Sequence, residues 1–435
     1  MPINQQHIDS IRLEFAQLQT KGDLLSLLNL AKSVLFYNST EDAIEPNSMD
    51  EKLIELISSP EHDIPQDKQQ HLKTVLFLRG GKYPIKLRSL TWYANSALTV
   101  KRYKIFDIPK KRGGNRTIFA PVDPLNTIQR CLNLVLQSVF TPHIAATGFV
   151  PGKSIVDNAR PHVGRHYVYN LDLKDFFPSV DFHRVKACLK LPPFNLTNTR
   201  EPLAFLIANL CCVKHPDEPS RAFLPQGAPT SPILTNVICQ QLDRRLTGVA
   251  KRFGATYTRY ADDLTFSSFT NVYQPDGEFC RELERIITDQ RFVINPAKTR
   301  LQRPGYRQAV TGLIVNERVN VPRQFWRDIR ALLHNWETLG YDEANNRFQR
   351  TYVANKAKAE QKTPALANVL SGKLMFMKMV RGADDALYQQ YAKQFDALTN
   401  RTTDDRAVDV ERILDIWEKQ GIGKAMAAFE QYKDL

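Results

Sequence analysis

The sequence predicts an α/β fold of the α+β kind, flanked at both ends by helical segments. Two β-rich runs carry acids at their ends: YVYNLDL over 167–173 and YTRYADDLTFSS over 257–268. Helical periodicity fills the chain between and around them. Strands that end in acids, interleaved with helices, bring several carboxylates to one sheet edge.

The elements follow in order. Ile8, Ile11, Phe15 and Leu18 recur at helical spacing, so the chain opens on an amphipathic helix. A second helix is expected over MDEKLIELI, with Asn47 and Ser48 as caps, and a third over DKQQHLKTVLFLRGG, stopped by Gly80 and Gly81. KIFDIP and RTIFAP flank Gly113-Gly114 and predict a β-hairpin with a basic tip. Asp123-Pro124 opens a helix with Leu125, Ile128, Leu132, Val135 and Val139 on one face. Another helix starts near Pro232, and beyond about residue 335 the pattern is helical throughout.

A chain of 435 residues exceeds one ordinary domain, so two or three lobes are expected. Its 43% hydrophobic and 24% charged residues fit a globular protein. No apolar run reaches the roughly 18 residues of a membrane span, and the first residues lack a signal peptide's basic and apolar regions. The cytoplasm is the expected location. Six cysteines without CxxC spacing read as free thiols, and His162 with His166 lacks further ligands for zinc. The net charge of +13 is uneven: residues 1–90 hold 10 Lys and Arg against 12 Asp and Glu, leaving about +15 on the rest. Residues 101–116 alone carry seven positive charges and one negative. That basic body points to a polyanion, most simply nucleic acid.

Asp172 ends one strand, and Asp262 and Asp263 occupy the turn of RYADDLTF. Asp-Asp in a turn is ordinarily only a turn, because Asp tolerates turn geometry. Its coincidence with an acid ending a second buried strand is the arrangement that hard divalent cations require. Nucleotidyl transfer uses such a set to hold two ions.

Three motifs in order now carry a resemblance. Asp172-Leu173-Lys174-Asp175-Phe176-Phe177, then Leu224-Pro225-Gln226-Gly227-Ala228-Pro229-Thr230-Ser231-Pro232, then Tyr260-Ala261-Asp262-Asp263 resemble the palm motifs of reverse transcriptases. The resemblance implies a right-hand polymerase with two Mg²⁺ ions on Asp172, Asp262 and Asp263. It implies dNTP contacts from Gln226, with Gly227 letting the backbone approach nucleotide and template. Phe177 matches an aromatic steric gate that excludes a 2′-hydroxyl. IPKKRGGNRTIFAP resembles a fingers motif whose Lys and Arg clamp the triphosphate; Arg116 is the expected Arg, and Lys110 or Lys111 the Lys. ATGFVPGKSI over 146–155 resembles the next fingers motif, and Lys298 matches a palm lysine that protonates departing pyrophosphate.

Asn158-Ala159-Arg160-Pro161-His162 and Val310-Thr311-Gly312 are similar to motifs of retron reverse transcriptases, and residues 372–382 to their thumb. The retron resemblance implies a structured non-coding RNA as template and primer, a DNA product joined to it, an effector protein and a part in anti-phage defence. Asn158, His162, Val310, Thr311 and Gly312 are then expected to contact RNA, together with Arg323, Arg327 and Arg330, which share one helix face. The expected division is a helical N-terminal extension (1–91), fingers (92–163), palm (164–320), and helical thumb with C-terminal extension (321–435). Two alternatives remain: a defence-associated reverse transcriptase outside the retrons, protein-primed or template-independent, and a non-catalytic RNA-binding protein on the same fold.

Overall fold

A computed structural model describes residues 3–36, 84–110, 113–215, 218, 220–355 and 363–400. The helices expected at MDEKLIELI and DKQQHLKTVLFLRGG, the Lys111 side chain and the C-terminal extension past residue 400 lie outside them. The chain divides into two compact units. One comprises residues 1–158 and 166–303; the other comprises residues 159–165 and 304–435.

The first unit opens with helices α1 (Gln5–Ala16) and α2 (Lys21–Phe36). Ile11, Phe15 and Leu18 are buried, as their spacing predicts. Strands β1 (Tyr103–Pro109) and β2 (Asn115–Pro121) form an antiparallel hairpin with Ile108 opposite Arg116. Gly113 and Gly114 both take positive φ at its tip. Helix α3 (Asp123–Val139) follows, with Pro124 in its first turn and Leu125, Ile128, Leu132 and Val135 buried. It packs against α1 and α2, so the N-terminal helices extend one continuous core.

Strand β3 (Tyr167–Asp172) leads to helices α4 (Phe182–Lys190) and α5 (Glu201–Cys211) and a small hairpin, β4 (Val213–Lys214) with β5 (Ala222–Phe223). Helices α6 (Ser231–Ile238) and α7 (Gln240–Arg252) precede β6 (Thr256–Tyr260) and β7 (Asp263–Ser268). Helix α8 (Glu278–Asp289) and strand β8 (Arg300–Gln302) complete the unit. The central sheet is antiparallel with order β6-β7-β3-β8. Phe266 and Phe279 are buried edge to face between sheet and helix α8. This sheet is what positions the acids.

In the second unit, β9 (Ala309–Val310) and β10 (Leu313–Ile314) form a hairpin whose turn is Thr311-Gly312. Both turn residues have positive φ, the pattern of a type I′ turn. Helices α9 (Arg323–Leu339), α10 (Tyr341–Asn355) and α11 (Leu366–Arg381) then gather a second core around Leu333, Trp336, Leu370 and Met377. Among the described residues no helix is long and apolar enough to cross a membrane.

Candidate active site

The register of the sheet places two acids side by side. Strands β3 and β7 are antiparallel, with Asp172 directly opposite Asp263. Strands β6 and β7 are joined by the two residues Ala261 and Asp262, between the paired Tyr260 and Asp263. Ala261 has φ 57°, a left-handed conformation that this kind of connection usually gives to Gly. The Asp262 carbonyl accepts the Leu173 N–H at 3.0 Å, tying the turn to the end of β3. Three carboxylates thus meet at one sheet edge.

Their electrostatics are strained. Burial raises the Asp263 carboxyl to about 6, and the negative charges of Asp262 and Asp172 add to the rise. Asp262 is also raised, by burial first and then by Asp172, against the lowering pull of its own backbone hydrogen bond, Lys298 and Arg116. Asp172 is held on both oxygens: Lys298 Nζ donates to Oδ1 at 2.8 Å and Asn295 Nδ2 to Oδ2 at 3.1 Å. Among the described residues no three acid, His or Cys side chains form a ready metal cluster. The donors nevertheless suit a hard divalent cation, which would relieve the mutual repulsion of the buried acids.

These acids line a cavity of about 890 Å³. Lys110 and Arg116 from the basic hairpin, Phe177, Gln226 and Lys298 line it as well, so the expected nucleotide residues converge on the acids. Phe176 is buried and stacks on Phe292, whereas Phe177 is only half-buried and faces Phe149 across 6.1 Å. Gly227 also meets strand β2 closely. A Cβ there would lie 2.9 Å from both Ile118 Cγ2 and the Phe119 carbonyl, so its bare backbone accommodates strand β2. The Gln226 carbonyl accepts the Phe119 N–H at 2.8 Å in the same contact.

The expected RNA contacts need correction at three positions. Asn158, His162 and Val310 are all 0% exposed, so none of these side chains is presented to RNA. Asn158 instead accepts the Thr147 hydroxyl at 2.7 Å inside the first unit. Burial, helped by the charge of Arg165, drops the His162 imidazole to about 3. Val310 is buried just before the hairpin turn, in which Gly312 is exposed and Thr311 half-buried. Arg323, Arg327 and Arg330 are all exposed on α9, with Arg327 and Arg330 each 6.0 Å from the Trp326 ring.

Sequence reasoning missed Asn295, since a lone Asn in an irregular segment gives no signal. His215 and Arg221 of the β4–β5 hairpin and Phe149 also line the cavity. The six cysteines are free thiols, as their spacing implies.

Residues 108–341 match the family model described as reverse transcriptase (RNA-dependent DNA polymerase). A retron Ec86 reverse transcriptase of Escherichia coli is 33% identical over 284 residues, covering 60% of this chain and 84% of that protein. The chain belongs to the reverse transcriptase family, in its retron-type branch. A retron Mx162 reverse transcriptase of Myxococcus xanthus is 39% identical over 279 residues, covering 58% of this chain. That match spans 56% of the Myxococcus protein, just over half its length. A solved telomerase from Candida albicans, in complex with a fragment of telomeric RNA, aligns with a TM-score of 0.38 at 11% identity. It covers 88% of this chain and 76% of that one, and is too distant to bear on the fold. Reverse transcriptase membership accounts for the α+β sheet, the basic hairpin and the acid cluster together.

Proposed function

We propose that this reverse transcriptase copies a structured non-coding RNA into DNA, using Asp172, Asp262 and Asp263 as the ligands of two Mg²⁺ ions. The observation that carries the reading is the pairing of Asp172 with Asp263 at the floor of a cavity that Arg116, Lys110, Phe177 and Gln226 also line. Bound Mg²⁺ would supply activation of the attacking hydroxyl and neutralisation of the triphosphate.

The chain's own residues do the rest. Arg116 offers a fork of donors to phosphate oxygens, and Lys110 adds a point charge from the same hairpin. Gln226 presents an amide that both donates and accepts. Phe177 sets its ring beneath the sugar and excludes a 2′-hydroxyl. Lys298 Nζ, 2.8 Å from Asp172 Oδ1, stands beside the acids that would hold the metal ions and can donate a proton to the departing pyrophosphate. Arg323, Arg327 and Arg330 follow the phosphates of the RNA, with Thr311 and Gly312 at an exposed turn. The retron-type kinship supports a DNA product that stays joined to its RNA, a partner effector protein and anti-phage defence in the cytoplasm.

Purifying the protein with its bound nucleic acid and sequencing that material tests the reading. A discrete structured RNA joined to DNA copied from part of it is the expected result. Heterogeneous RNA without any DNA copy would contradict it.

A further inference from the structure

Beneath the acidic turn lies a charged network that the cavity does not expose. Arg259, in β6, and Asp243, in α7, are both 0% exposed and paired through two bonds. Arg259 Nε donates to Asp243 Oδ1 at 2.8 Å and Nη2 to Oδ2 at 2.7 Å. Tyr257 Oη donates to Asp243 Oδ1 at 2.9 Å. Arg259 Nη2 also donates to Asn236 Oδ1 at 3.1 Å, and Asn236 Nδ2 donates onward to the Gly148 carbonyl at 3.0 Å. The remaining amino group, Nη1, donates to the Ala261 carbonyl at 3.2 Å.

That last bond gives the network its meaning. Ala261 is the left-handed residue directly before Asp262, and its carbonyl is fixed by a guanidinium that is itself locked from below. Gly148 closes the turn from the other side: a Cβ there would sit 2.5 Å from the Ala261 nitrogen. Residues 145–148 run beside β6, with the Arg259 N–H donating to the Ala145 carbonyl at 2.8 Å and the Thr147 N–H to the Arg259 carbonyl at 2.9 Å. A buried ion pair is a poor way to gain stability, since apolar residues of similar volume do as well. A planar fork with donors on three sides is, however, a good way to hold several acceptors in fixed relation.

We propose that Asp243 and Arg259 are positioning residues for the acidic turn, Asp243 orienting the guanidinium and Arg259 Nη1 fixing the Ala261 carbonyl and hence the aim of Asp262 and Asp263. The proposal rests on the reading of Asp262 and Asp263 as metal ligands. Asn236 and Gly148 tie the same device to α6 and to the segment preceding Phe149, so the turn is set by three parts of the unit at once.

Arg259→Lys keeps a positive charge beside Asp243 but removes the fork that reaches Ala261. Hydrogen exchange of the metal-free protein reads the turn directly, independent of activity. Amides of 260–264 should exchange roughly tenfold faster in the variant, with helix α5 unchanged. On a generic primer–template, kcat should fall roughly tenfold to a hundredfold, as misplacement of reacting groups by about 1 Å does. The Mg²⁺ concentration for half-maximal rate should rise, while KM for dNTP stays within about twofold. Arg245→Ala, on the same helix as Asp243, removes a partly exposed ion pair to Asp289 of α8 and should change none of these. Should Arg259→Lys not fold, Gly148→Ala displaces the turn with the ion pair intact and must give the same pattern. Unaltered exchange at 260–264 with an unaltered Mg²⁺ midpoint, whatever the melting temperature, would overturn the proposal. If instead Asp262→Asn retains synthesis, the metal-ligand reading itself has failed, separately from this test.

Discussion

Lys298 Nζ lies 2.8 Å from Oδ1 of Asp172, so an ammonium group covers the one acid of the trio that stands at the end of β3. The Lys298 side chain is 48% exposed and the Asp172 side chain 7%. An ion pair so open on one side contributes little stability, on the order of 0–1 kcal/mol. Its chemical position matters more, because a divalent ion bound by Asp172 must compete with that ammonium.

Lys298→Met should therefore lower the metal-free melting temperature only slightly and enlarge the stabilisation gained on adding Mg²⁺. Thermal denaturation with and without Mg²⁺ measures both. A smaller Mg²⁺ effect in the variant would mean that Lys298 assists the ion rather than competing with it. DNA synthesis should also slow through kcat, since the proton donor is gone.

Phe177→Val should admit ribonucleotides. The ring is only half-buried and lines the cavity, while its neighbour Phe176 serves the core. Single-nucleotide incorporation should show the preference for dNTP over rNTP falling by about tenfold or more, a change of ~1.4 kcal/mol in discrimination. An unchanged ratio would assign Phe177 to packing against Phe149.

Much of this site is legible in the sequence. The run YVYNLDL is rich in β-formers, and RYADDLTF places a turn pair between two such runs, so register alone brings Asp172 opposite Asp263. The hairpin glycines and the basic residues around them were equally direct. Long-range polar partners were not. Asn295 reaches Asp172 from 123 positions away, and the pairing of Arg259 with Asp243 joins a strand to a separate helix with no local motif to mark it. Asn158 and His162 misled for the converse reason. Polar residues in a motif suggest a surface, but these two are buried.

His162 makes its own prediction about pH. Its pKa falls from 6.5 to about 3, because burial and then Arg165 disfavour the charged ring. Between those values the unfolded chain takes up a proton that the folded chain refuses. Stability is thus full above about pH 6.5 and declines as the pH falls, by up to ~1.4 kcal/mol per pH unit for one proton. Asp263, whose raised carboxyl takes up a proton in the fold near pH 6, gives the opposite slope. Urea unfolding between pH 7 and pH 5 should therefore show wild type losing more stability than His162→Asn. Equal slopes in both proteins would remove His162 as the cause.

The arginine face of α9 should hold RNA rather than serve chemistry. Arg323, Arg327 and Arg330 are exposed, and the last two flank the half-buried Trp326. Replacing all three with Gln should weaken binding of the co-purifying RNA and flatten its salt dependence, since each lost phosphate contact lowers the slope by roughly 0.7–0.9. Extension of a short pre-annealed primer–template should suffer much less. Equal loss of both activities in a folded variant would assign the face to the polymerase itself.

If the acids of one sheet edge carry out DNA synthesis, single carboxamide substitutions there must abolish it. Asp262→Asn and Asp263→Asn keep the shape of the turn but bind Mg²⁺ far more weakly. Measured by Mg²⁺-dependent primer extension on an RNA template, each should reduce synthesis to background while RNA binding stays within about twofold of wild type. Near-normal extension by both variants would mean that synthesis does not depend on these carboxylates.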